Sequence, residues 1–361
     1  VRSPPCWLVS RGFDLAWILA PGLLPLMAVF LIPSFHAGGA DLSVLGFLLL
    51  VVGVDVAHVY ATLYRTYLDP EEFARRRFAY LLTPFACLLI GVLLHRAEPI
   101  LFWRALAYLA VLHFVRQQFG LVRLYAHRMG EDSRLDALLD RAAIYAATLY
   151  PVLWWHLHPR AFAWFVPGDF RAFSAPVLVP VAKGVWAGIL ALFASRQAWR
   201  YLREGVWNPG KTGVVATTAI SWYGGIVYFN SDIAFTATNV VAHGVPYIAL
   251  VWLYCSRKWT AREGNASWMS WISAGKRILA FYGVLFVLAY VEEGAWDVLV
   301  WRDHASLFGA WQGIWRPSSE RLLSVLVPLL ALPQATHYVL DAMIWRFDER
   351  SNPGLRGYVL K

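Results

Sequence analysis

The sequence predicts an all-α protein: a polytopic integral membrane helical bundle of about ten transmembrane helices with both termini cytoplasmic. Three observations predict it. The chain is 59% apolar and only 15% charged, where soluble domains run at roughly 45–50% and about 25%. Its mean hydropathy is +0.49, with apolar runs recurring near the length that crosses a hydrocarbon core. Its basic residues fall in alternate connections. A length of 361 residues suggests about two soluble domains, yet no polar stretch is long enough to fold alone, so residues 1–361 are expected to form one transmembrane helical domain.

The runs are 13–33, 42–65, 78–95, 100–122, 142–157, 176–194, 213–229, 232–254, 278–291 and 322–345. The first follows Arg11, is as long as a span and contains Pro21 and Pro25, so it is expected to be a retained helix and not a cleaved signal. Of the 32 Lys and Arg, 23 lie at the termini and in the even-numbered connections, six in the odd-numbered ones, and Arg104, Arg116 and Lys183 within runs. Basic loops stay in the cytoplasm, which orients the bundle. The same distribution turns the net charge of +9 into a topology signal and leaves no case for a nucleic-acid partner. A bacterial inner membrane suits this pattern, and Arg75, Arg76 and Arg77 are read as an anchor that attracts anionic lipid.

Cys6, Cys87 and Cys255 lack pairing or ligand spacing. The outer connections 159–175 and 294–320 carry Trp164, Trp296, Trp301, Trp311 and Trp315, which suits the headgroup layer, and 298–315 is expected to form an interfacial helix. No internal repeat stands out.

The functional signal is a polar layer inside the apolar runs. The second run has Asp55 and His58, the fourth His113, Arg116 and Gln117, the eighth Asn239 and His243, the tenth Gln334, His337 and Asp341. All four runs point the same way by charge. At about 1.5 Å per residue, each histidine lies roughly 10 to 21 Å from the basic residue ending its run, a slab about 10 Å thick below the midplane. His113 with Gln117, Asn239 with His243, and His337 with Asp341 are at i, i+4, and Asp55 with His58 at i, i+3, so each span offers an imidazole and an oxygen on one face. Helical bundles build histidine–carboxylate metal sites in this way.

The expected ligands are His58, His113, His243 and His337, with Asp55 and Asp341 as ligands or orienters and Gln117 and Asn239 as positioning groups. The chemistry implied is a transition-metal oxidoreductase, iron first, with bis-histidine haem also open. The substrate would be a lipid, isoprenoid or other hydrophobic molecule among the membrane lipids, and an electron-donor protein would dock on the cytoplasmic side. The HxxxH and HxxHH boxes of membrane desaturases are missing. A transporter or proton-coupled permease using the same layer is the alternative, with Pro246 and Pro333 as helix breakers. Glu292 and Glu293 read as an interfacial stop, His156 and His158 as headgroup-level residues, Lys183 as snorkelling, and His36, His95, His127 and His304 as solvated. The sequon Asn265-Ala266-Ser267 falls in a cytoplasmic connection and would stay unmodified.

Overall fold

A computed structural model of the chain describes residues 6–32, 42–158, 160, 162–260, 272, 277–311, 313, 317, 319–346, 350 and 352–360. His36, the sequon at 265–267 and Trp315 lie outside them. The described residues form helices joined by irregular connections, with no strand among them. In order, the helices are α1 (Arg11–Gly22), α2 (Leu24–Leu31), α3 (Val44–Arg65), α4 (Pro70–Ala97), α5 (Pro99–Arg128), α6 (Arg134–Leu157), α7 (Leu178–Glu204), α8 (Pro209–Trp222, continued by Tyr223–Tyr228), α9 (Asp232–Thr260), α10 (Ile278–Trp301), α11 (Ala305–Phe308), α12 (Glu320–Leu330), α13 (Leu332–Ile344) and α14 (Leu355–Val359).

The span count is lower than expected. Among the described residues, six single helices are long and apolar enough to cross a membrane: α3, α4, α5, α7, α9 and α10. The total rises to eight if α1 with α2 (bent by 44°) and α12 with α13 (bent by 41°) each make one broken span. The fifth and seventh apolar runs fall in α6 and α8, which carry too many charged, hydroxyl, glycine and aromatic residues to qualify. The chain is therefore a polytopic helical membrane protein with six to eight candidate spans.

Two compact units emerge, residues 1–41, 111–246 and 360–361 in the first, 42–110 and 247–359 in the second. Their boundaries fall inside α5 and α9.

In the first unit, Ser10 caps α1 and buried Asp14 accepts from the Leu8 amide at 2.7 Å and the Tyr125 hydroxyl at 2.8 Å. Ser133 and Asn208 cap α6 and α8, and α7 ends on Gly205 at φ 65°, the left-handed region that favours glycine. α6 packs on α7 and α8. Lys211, expected as a loop charge, is fully buried, 3.1 Å from Asp140 and beside Glu131, which also pairs with Arg200 at 3.0 Å. A buried cation survives when paired and hydrogen-bonded. Arg196 holds Asp136 at 2.7 Å, and that hydrogen bond keeps the Asp136 carboxyl below its ordinary range.

In the second unit, α4 packs on α12 and α13, and α10 on α3. Asp69 caps α4 and pairs with Lys258, while buried Arg65 meets Glu72 at 3.1 Å and the Tyr254 ring at 4.3 Å. Several residues read as solvated or interfacial are packed instead. His95 is buried beside Phe102, His304 stacks on Phe47 at 3.8 Å, and Glu292 is buried. The expected helix over 298–315 is interrupted: α10 runs to Trp301, Arg302 turns at φ 65°, and short α11 follows.

Candidate metal centre

The second unit supplies His58 and His337, both 1% exposed, with ring centroids 5.0 Å apart. α3 is wound wide as a π-helix over Phe47–Val56 and reverts to α at Ala57, one residue before His58. Wide turns of this kind recur at functional sites. At that junction the Val54 carbonyl lies 3.2 Å from His58 Nδ1. A carbonyl only accepts, so Nδ1 carries the proton and Nε2 keeps its lone pair. His337 Nδ1 lies 2.6 Å from Thr62 Oγ1, which lies 2.9 Å from the Tyr247 hydroxyl. The Tyr247 ring stands edge-on to both imidazoles, at 5.8 Å from His58 and 5.1 Å from His337.

The first unit supplies His113 on α5 and His243 on α9, with Nε2 facing Nε2 at 3.0 Å. Phe114 stacks on His243 at 3.7 Å and 9°. A proline two turns into this stretch shapes the backbone. Pro246 has no N–H to offer the carbonyl four residues back, Ala242. Gln118 answers that carbonyl at 3.2 Å, and its own amide oxygen accepts from Thr218 at 3.1 Å. Gln117 donates to the next carbonyl, that of His243, at 2.7 Å.

Together His58, His113, His243 and His337 form a buried group whose ligand-capable nitrogens all lie within 4.8 Å of one another. With metal–nitrogen bonds of about 2.0–2.1 Å, adjacent ligand nitrogens sit about 2.9 Å apart at a right angle and about 3.4 Å in a tetrahedron. The 3.0 Å between His113 and His243 falls in that interval. The group could hold a metal ion. The donor set is all imidazole, which suits zinc, copper, iron and nickel over magnesium or calcium.

The oxygen-bearing neighbours stand around this group. None belongs to the ligand group, whose members are the four histidines alone. Asp55 Oδ1 stays 4.0 Å from His58 Nδ1, too far for a hydrogen bond, with its side chain 34% exposed. Asn239 is buried and donates to Thr238 Oγ1 at 3.0 Å and the Phe235 carbonyl at 3.4 Å. Gln117 reaches the His243 backbone and not its ring. Asp341 is half-buried, one helical turn after His337 on α13. Arg116 is exposed, pointing away as expected.

Thr62 and Tyr247 were not singled out from the sequence. Each stands four residues after a site histidine, His58 and His243, and that spacing was the available signal. Comparison with protein-family models, curated proteins and solved structures gives no match.

Proposed function

We propose that this chain is an integral membrane, metal-dependent oxidoreductase, iron-containing and of the hydroxylase, desaturase or oxygenase kind, acting on a lipid, isoprenoid or other hydrophobic substrate. The observation that carries the reading is the convergence of four buried imidazoles from four helices. Burying one histidine in an apolar helix needs only a hydrogen-bond partner; gathering four, with Nε2 facing Nε2 at 3.0 Å, sets imidazole nitrogens at the spacing that two ligands of one ion take. A bound transition metal would supply oxygen activation or Lewis acidity in a site from which water is excluded. In a hydroxylation, dioxygen and two electrons with two protons convert a substrate C–H to C–OH and release water. The electrons would come from a donor protein on the cytoplasmic face.

An apolar cavity of about 870 Å³ in the first unit, lined by Met27, Phe30, Trp186, Phe193 and Tyr223, supports a hydrophobic ligand. Gln117 acts in this reading through the α9 backbone, and Asp55 and Asp341 as carboxyl groups three and four residues from a ligand on the same helix.

A transporter or permease is the second reading, favoured by the 41° break between α12 and α13 just before His337. Metal analysis of the purified protein beside a His58→Ala, His337→Ala double variant separates them. The enzyme reading expects near-stoichiometric iron in the parent and its loss in the variant; equal or absent metal in both removes it.

A further inference from the structure

We propose that Tyr282, on α10, is a positioning residue of the metal centre: its hydroxyl fixes the place along α3 where wide winding gives way to α-winding, and so sets the direction of His58. The role rests on the metal reading of the four-histidine group and adds to it a residue from a fifth helix. Tyr282, Gly53 and His58 all lie in the second unit.

Over Phe47–Val56 the backbone bonds of α3 span five residues, and from Ala57 they span four. At the change the Ala57 amide reaches the Val52 and Val54 carbonyls, on either side of Gly53. The Gly53 carbonyl is met from outside the helix instead, by the Tyr282 hydroxyl at 2.6 Å. A carbonyl only accepts, so the tyrosine donates its one hydrogen there. The next carbonyl along, that of Val54, lies 3.2 Å from His58 Nδ1. Gly53 also lets α10 come this near, since a Cβ built on it would stand 3.0 Å from the Tyr282 oxygen and 3.9 Å from the Phe286 ring.

Removing the hydroxyl strips the buried Gly53 carbonyl of its donor in apolar surroundings, a cost that is relieved when the change of winding migrates along α3. A migration of one residue past His58 turns its imidazole by about 100° around the helix axis. The ring then leaves the group.

The test is cobalt(II) and zinc(II) binding to the full-length purified protein, with the visible cobalt(II) bands reporting ligand geometry. Tyr282→Phe keeps the ring and removes the hydroxyl; metal affinity should fall about 5–100-fold, the worth of one orphaned buried carbonyl, with altered bands. Gly53→Ala crowds the same hydroxyl off its carbonyl and should change affinity and bands in the same direction, even if Tyr282→Phe fails to fold. The double variant should be no worse than the poorer single one, because both break one bond. Tyr290→Phe takes from the same helix a hydroxyl that bonds the Leu307 carbonyl, and it should leave affinity and bands at the parent values. Parent affinity and bands in Tyr282→Phe, or an equal loss in Tyr290→Phe, overturn the role of Tyr282 and leave the metal site standing. If the parent protein takes up neither ion, the metal reading itself falls and the positioning role with it.

Discussion

The two histidine pairs are built differently. His58 and His337 each hand Nδ1 to a defined oxygen, the Val54 carbonyl and the Thr62 hydroxyl. His113 and His243 instead oppose Nε2 to Nε2 at 3.0 Å, with one ring fixed by Phe114 stacking and the surrounding backbone by Gln117 and Gln118. The first pair has Nδ1 of each ring tied to an oxygen. The second is held in position by packing, with its facing nitrogens at the distance of an N–H···N hydrogen bond or of two ligands on one ion.

The largest expected effect breaks the comparison outright. His113→Ala or His243→Ala removes a nitrogen from the closest pair and should cost metal affinity more than any substitution behind the ligands, beyond about 100-fold, read by competition with a chelator. Acidification should act in the same direction for every ligand, because protons compete for the lone pairs. Affinity should therefore fall monotonically on acidification. Affinity that stays flat as the pH is lowered would argue against imidazole ligation.

Next comes the scaffold behind the second pair. A methyl at Gly225 would lie 2.2 Å from Thr238 Oγ1 and 2.7 Å from Asn239 Nδ2. Gly225→Ala should destabilise by about 1–3 kcal/mol through overpacking, read as a lowered thermal midpoint in detergent. Gln118→Leu should cost about 1–3 kcal/mol by orphaning the Ala242 carbonyl. Adding Pro246→Ala should recover part of that loss by returning a backbone donor, and a double variant no more stable than Gln118→Leu would refute the account.

The smallest effect is a control that touches neither pair. Asp136 is held below its ordinary pKa by Arg196, so its contribution is present above the unfolded carboxyl range and fades as pH falls through the folded value. Asp136→Asn should cost no more than about 1 kcal/mol at neutral pH and leave metal binding unchanged.

The four histidines could be read from the sequence because depth along a helix is simple arithmetic and a run of lipid-facing residues makes imidazole conspicuous. Their oxygen-bearing partners were harder, and for a specific reason. Asp55 and Asn239 lie in the wide-wound stretches Phe47–Val56 and Thr236–Val240. The rule that i, i+3 and i, i+4 share a face assumes 3.6 residues per turn, and a π-turn changes that spacing, leaving Asp55 near His58 but beyond hydrogen-bond distance. Thr62 and Tyr247 escaped notice because hydroxyls in apolar helices usually bond their own backbone, as Thr148 does to Ile144. The fifth and seventh runs were counted as spans because their aromatic, threonine and glycine residues were tallied with the apolar ones. Lys211 and Arg65 were counted as loop charges, and nothing in one sequence foretold their buried partners Glu131 and Glu72.

Pro246 has a mechanical consequence. Two neighbouring amides, Gln117 and Gln118, grip two neighbouring carbonyls, His243 and Ala242. A single such bond would act as a pivot; two in succession act as a key in a slot, blocking both rotation and sliding of this stretch of α9 along α5. The gap between the His113 and His243 rings is thus registered by peptide groups, and it should persist at the same width when the ion is stripped away.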